Sequence, residues 1–285
     1  MTATEDTDPY LFGHSEDETR RLQIQAQLLN SSTRRMLVDC GISPGMRVLD
    51  VGSGTGDVAR LIAEVVGASG EVVGVDINPT AVEAARLRAS RAGLTNVSFE
   101  EADIATATLD GHFDAAVGRC ILFWVPDPVD VLRRVAASVR PGGSVAFQEP
   151  GNAVSRPVAL HPSPLMDRTS SWLLDTFARS GLDWYMGLRL YPIFVDAGLP
   201  GPTMHLDAAV GGGPEWIGYE YMASLIRAVL PRIIQSGVAT AEEVDIDSLA
   251  DRLRWESIDQ RGAAATWGFV SAWSHKPTHW APTAE

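Results

Sequence analysis

Residues 48–56 read Val-Leu-Asp-Val-Gly-Ser-Gly-Thr-Gly, an apolar run that ends in an acid and three alternating glycines. An apolar run of this kind is a buried strand, and glycines at this spacing let the backbone turn tightly and come close to a ligand. Twenty residues past the last glycine, Val72-Val73-Gly74-Val75-Asp76 repeats a buried strand that ends in a carboxylate. Strand, glycine turn, helix and acid-tipped strand make a nucleoside-binding βαβ unit, in which the terminal acid accepts hydrogen bonds from a ribose diol.

The alternation continues on both sides. Residues 16–38 carry a helical apolar face, Met46–Val51 and Glu71–Asp76 read as the first two strands, and Asp57–Val66 as the helix between them. Asn78-Pro79-Thr80 opens a helix that stops near Gly93, because proline is tolerated in a first turn. Residues 96–101, 113–118 and 144–148 are strands three to five, with a helix at 128–139 and a tight turn at Arg140-Pro141-Gly142-Gly143. Strands separated by helices pair in parallel through right-handed crossovers, and such sheets bind ligands at the strands' carboxyl ends. After Pro150 the alternation stops. Residues 204–210 and 267–274 read as two last strands, separated by a glycine hinge at 211–213 and helices near 215–235 and 241–261. The expected architecture is a doubly wound, Rossmann-like α/β sheet of seven mostly parallel strands with a helical cap. Residues 1–43 form an arm and cap helix and residues 44–150 the binding core. Residues 151–285 supply the acceptor-side cap (151–185 and 214–261) and the last two strands.

Composition removes several function classes. Twenty-three basic against 36 acidic residues give a net charge of −13, the wrong sign for a phosphate-binding surface, so nucleic acid is not the expected partner. Arg86, Arg88 and Arg91 read as the solvated face of one helix. No apolar run reaches the roughly 18 residues that span a membrane, and the acidic start, Met1 to Asp8, is unlike a signal peptide. Two cysteines, Cys40 and Cys120, make neither a disulfide framework nor a zinc site. A cytoplasmic protein, monomer or homodimer, is the simplest expectation.

The stretch Val48–Gly56, with Asp76, Asp103-Ile104 and Arg140-Pro141-Gly142-Gly143 behind it in order, resembles the class I S-adenosylmethionine-dependent methyltransferases. The nearest branch is the one that acts on quinones and natural products. The resemblance implies S-adenosylmethionine as cofactor. It implies that Asp50, Gly52, Ser53, Gly54 and Gly56 surround the methionine part and that Asp76 holds the ribose. Ile77, Asp103 and Ile104 then meet the adenine, and the backbone at Gly118 and Arg119 lines the methionine end. A dinucleotide dehydrogenase is the nearest rival, but its third glycine falls one place later, where this chain has Asp57, a carboxylate that would repel a pyrophosphate.

The acceptor site is less legible. Strand four lacks the Asn/Asp-Pro-Pro-Tyr/Phe pattern of enzymes that methylate amino groups of bases or glutamine. Arg119 and Cys120 are poor ligands for a hard cation, so no metal is expected. Methyl transfer needs alignment first and a base only where the acceptor must lose a proton. The candidate bases are His161 after strand five, Glu149 at its end, and His14 in the arm. Cap aromatics such as Trp184, Trp216, Tyr219 and Tyr221 suit either core packing or a lid over an aromatic or polycyclic small molecule. The expected reaction is methyl transfer to oxygen, carbon or nitrogen of such a molecule, a secondary metabolite by analogy with the family. A protein of this fold that binds the cofactor but isomerises or cyclises its substrate is the alternative.

Overall fold

A computed structural model describes residues 16–109, 112–151 and 158–280. The chain opens with α1 (Glu16–Asp39) and then alternates through β1 (Arg47–Val51), α2 (Asp57–Val66), β2 (Glu71–Asp76), α3 (Pro79–Arg91), β3 (Val97–Glu101) and β4 (Phe113–Arg119). A short 3-10 turn at Leu122–Trp124 leads to α4 (Pro128–Ser138) and β5 (Val139–Pro150). The second half holds β6 (Val158–Ala159), α5 (Pro164–Arg179), α6 (Met186–Asp196), β7 (Thr203–Asp207), β8 (Val210–Gly212) and α7 (Gly218–Gln235). It ends with α8 (Ala241–Val244), α9 (Leu249–Asp259), β9 (Ala263–Ala265) and β10 (Phe269–His275).

Seven strands form the main sheet in the order β3-β2-β1-β4-β5-β10-β7. The first five are parallel, and β10 runs antiparallel to both β5 and β7. The order reverses between β1 and β4, which is where an open α/β sheet leaves a crevice at its carboxyl edge. Helix starts follow the sequence: Asn78 caps α3 by accepting from Thr80 N and Ala81 N, and Asp127 caps α4 by accepting from Asp130 N.

Two expectations are corrected. The turn at 140–143 lies within β5. Four residues, 140–143, face the single Asp114 between the pairs Phe113–Val139 and Ala115–Ser144, while Gly142 N donates to Lys276 O and Lys276 N donates to Gly143 O. The glycine hinge at 211–213 is largely the strand β8, paired with β9, which also pairs with β6 in a second, three-stranded sheet.

Helix α7 packs against α1, α5 and α9, and α1 also packs on α2, β5 and β10 of the sheet layer. A buried polar cluster welds α1 to the strands: Thr33 Oγ1 donates to Gln148 Oε1 at 2.7 Å, and Gln148 Nε2 donates to Ser32 Oγ and Ser271 Oγ.

Candidate active site

All three motif glycines take left-handed backbone, Gly52 at φ 67°, Gly54 at 51° and Gly56 at 82°. At Gly52 a side chain is excluded by space as well as by conformation, since a Cβ would lie 2.8 Å from Ile121. The loop is tied to β2 by Ser53 N donating to Val75 O and by Gly54 N donating to Asp76 Oδ2 at 2.8 Å; Asn78 N donates to Asp76 Oδ1. Each Asp76 oxygen keeps a lone pair for a further donor.

The loop forms one wall of a cavity of about 820 Å³. Gly52, Ser53 and Gly54 line it together with Asp76, Ile77, Asp103, Ile104 and Arg119. Ile77 is exposed and presents an apolar side chain there. Asp103 Oδ1 accepts from Ala105 N, which closes the turn that carries Ile104. Asp50, Gly56 and Gly118 stand behind this wall. A Cβ at Gly118 would meet Phe147 at 2.3 Å and one at Gly56 would meet Phe99 at 2.9 Å, so these two glycines serve close packing. Asp50 is buried, neither of its oxygens has a partner among the described residues, and burial pushes its pKa up to about 7.

Asp57 and Arg88 form a pair the sequence does not announce. Arg88 Nη2 donates to Asp57 Oδ1 at 2.7 Å and its Nη1 to Thr55 O at 2.6 Å, while Arg86 donates to Phe99 O. The basic helix face is therefore only partly solvated, and the carboxylate at the start of α2 is neutralised.

The opposite end of the cavity is built by the cap. Arg21 and Gln25 come from α1, Trp184 from the turn before α6, Tyr221 and Leu225 from α7, and Phe269 from β10. Cys120 stands between the two ends in left-handed backbone, φ 57°, with its N donating to Gln148 O. Its thiol is pushed up to about 12, by burial first and then by Glu149, which makes it inert as a nucleophile at neutral pH. Of the cap aromatics, Trp216 and Tyr219 stack edge to face at 4.9 Å within the core, whereas Tyr221 and Trp184 reach the cavity.

Neither described candidate base lines the cavity. His161 is exposed, near Gly262. Glu149 is fully buried and accepts from Ile121 N at 3.0 Å and Leu122 N at 2.9 Å, which fixes the backbone that carries the cavity wall. His14 lies outside the described residues. Sequence reasoning missed Arg21 and Gln25, although a signal exists: Glu18, Arg21 and Gln25 form a buried polar stripe at helical spacing in the first turns of α1.

The model of a methyltransferase domain matches residues 42–198. The chain belongs to the class I S-adenosylmethionine-dependent methyltransferases. It is 33% identical over 177 residues to a ubiquinone/menaquinone biosynthesis C-methyltransferase of Ectopseudomonas mendocina, covering 58% of this chain and 69% of that one. It is 39% identical over 107 residues to the aklanonic acid methyltransferase of a Streptomyces species, covering 37% and 49%. Matched regions span between 35% and 69% of the curated relatives' own lengths. Among solved structures, the (4+2) cyclase SpnF superposes with a TM-score of 0.54 at 19% identity, covering 88% of this chain and 82% of that one, a likeness of fold. The residues present fit the family's cofactor. The left-handed glycine loop leaves room for close approach, and Asp76 offers acceptors to a diol.

Proposed function

We propose that this protein transfers the methyl group of S-adenosylmethionine to an oxygen, carbon or nitrogen of a small organic acceptor, a secondary metabolite. The observation that carries this reading is the single cavity that joins the glycine loop, Asp76 and Asp103 at one end to Trp184, Tyr221 and Phe269 at the other. A cofactor held by the first end directs its reactive group toward the second. The relatives named for quinone biosynthesis and for aklanonic acid support an aromatic or polycyclic acceptor.

In this reading Asp76 takes the ribose hydroxyls, Ile77 covers one adenine face, and Asp103 with the Ile104 backbone meets the adenine edge. Gly52, Ser53 and Gly54 pass close to the methionine part, with Arg119 lining that end and the buried Asp50 behind the loop. When bound, the cofactor supplies an electrophilic sulfonium methyl. The chain supplies alignment and a dry pocket, worth roughly 7–11 kcal/mol in well-oriented systems. His161 and Glu149 stand outside the cavity wall, so the reading assigns the proton's removal, where one is needed, to neither.

Calorimetric titration with S-adenosylhomocysteine, with NAD as control, tests the cofactor end. Binding of the first alone is expected, and Asp76→Ala should weaken it about 100-fold through loss of charged hydrogen bonds worth about 1.5–3 kcal/mol each. Binding of NAD alone would sink the reading. Formation of S-adenosylhomocysteine with an aromatic acceptor panel tests the transfer itself.

A further inference from the structure

The polar corner of the cap end has unmet hydrogen-bonding capacity of one kind. Arg21 and Gln25 are already engaged: Arg21 Nε and Nη2 donate to Glu18, and its Nη1 donates to Gln25 Oε1 at 2.9 Å. Those bonds engage the acceptors that α1 brings to the corner. Arg119 contributes a guanidinium, which cannot accept, and its Nη1 is held by Asn30 and Thr33. Apart from the Trp184 indole N–H, a buried donor with no partner among the described residues, Tyr221 is the remaining polar group. It lies on α7 one turn before Leu225, is 1% exposed and lines the cavity, and its hydroxyl makes no hydrogen bond among the described residues. Burial raises its pKa, and Arg21 and Arg119 nearby oppose that rise without cancelling it, so the phenol keeps its proton at neutral pH. A protonated phenol in a corner of donors asks for a ligand atom that accepts. The surrounding walls, Leu225, Phe269, Pro150 and the ring of Trp184, are apolar apart from the indole N–H.

We propose that Tyr221 is the positioning residue for the acceptor, donating its hydroxyl hydrogen to an oxygen on the edge of a planar aromatic molecule whose rings lie against the apolar walls. The acceptor class is therefore a hydroxy- or keto-arene, and Tyr221 fixes which edge of it faces the methyl donor. This inference rests on the methyl-transfer reading above and deepens it.

The test uses the full chain saturated with S-adenosylhomocysteine, 2-naphthol as probe and 2-methylnaphthalene as the same shape without the hydroxyl. In the wild type, 2-naphthol should bind about 3- to 10-fold tighter than 2-methylnaphthalene, the equivalent of one hydrogen bond. Tyr221→Phe should erase that preference while leaving 2-methylnaphthalene and S-adenosylhomocysteine affinities unchanged. The inference is overturned if the preference survives in Tyr221→Phe, or if a protein that binds S-adenosylhomocysteine shows no preference for the naphthol. Loss of S-adenosylhomocysteine binding in the wild type would instead overturn the cofactor reading beneath it.

Discussion

Glu149 shows how one buried side chain shapes the site without touching it. One carboxylate oxygen accepts from the backbone of Ile121 and Leu122, while Oε2 has no partner among the described residues. Burial pushes its pKa from 4.5 up to about 7, only partly offset by the backbone amides. The folded protein thus holds this proton to higher pH than the unfolded chain does. The resulting stabilisation is full below about pH 4.5 and is lost as pH rises through about 7, on the order of 3 kcal/mol for such a shift. Glu149→Gln keeps an acceptor for both amides but cannot titrate. Urea midpoints measured from pH 4.5 to 7.5 should therefore fall less steeply in Glu149→Gln than in the wild type, the remaining slope coming from Asp50, whose pKa is raised in the same direction. Equal slopes would show that Glu149 does not titrate there. The same variant separates structural from catalytic roles, because a general base would not survive the change. Gly52→Ala acts by another route. Its methyl would meet Ile121 in a backbone region that alanine avoids, so a destabilisation of about 1–3 kcal/mol is expected, with weaker S-adenosylhomocysteine binding in the same titration.

At the scale of elements, the Trp216 indole sits between two glycines. A Cβ at Gly211 on β8 would come within 2.2 Å of it, and one at Gly218, the first residue of α7, within 2.4 Å. Gly211→Ala should overpack this contact and cost about 1–3 kcal/mol in urea unfolding. A substitution with no cost would mean that the loop is as free as a hinge. The glycines 211–213 look like a hinge in the sequence because their strand partner, Ala263–Ala265, lies fifty residues away and is too short and featureless to read as a strand. The first five strands are legible for the opposite reason. Residues such as Val48, Leu49, Val72 and Val117 are buried on both faces of the sheet, and the helices after β2 and β4 start at side-chain caps, Asn78 and Asp127. The strand character of 139–143 is hidden because it depends on Lys276, more than 130 residues downstream. Likewise the cofactor end is written in one contiguous motif plus two acids, whereas the cap end is assembled from α1, α7 and β10, so only their packing reveals that Arg21, Tyr221 and Phe269 share a wall.

Across the whole molecule, one hydrophobic cluster runs from sheet residues such as Leu49 and Phe147 to Phe177, Tyr219, Ile226 and Leu253 of the cap. Phe177 stacks on Trp184 at 4.2 Å, and Trp184 meets Phe123 edge to face. Sheet and cap should therefore melt together. Far-ultraviolet circular dichroism and tryptophan fluorescence are expected to give superimposable urea transitions, and S-adenosylhomocysteine at 100 times its Kd should move both by about 2.7 kcal/mol. Separate transitions would mean that the cap opens by itself. The place of β10 carries a consequence for biosynthesis. β10, the last strand among the described residues, is an interior strand of the sheet, hydrogen-bonded on both sides, to β5 and to β7. While the ribosome is still making residues 151–268, β5 has an open edge and the Thr33–Gln148–Ser271 cluster lacks its third member. An unpaired edge of that length is where chains stick to one another. The nascent protein thus depends on β10 to close the sheet, and a premature stop before Phe269 would leave a chain that aggregates.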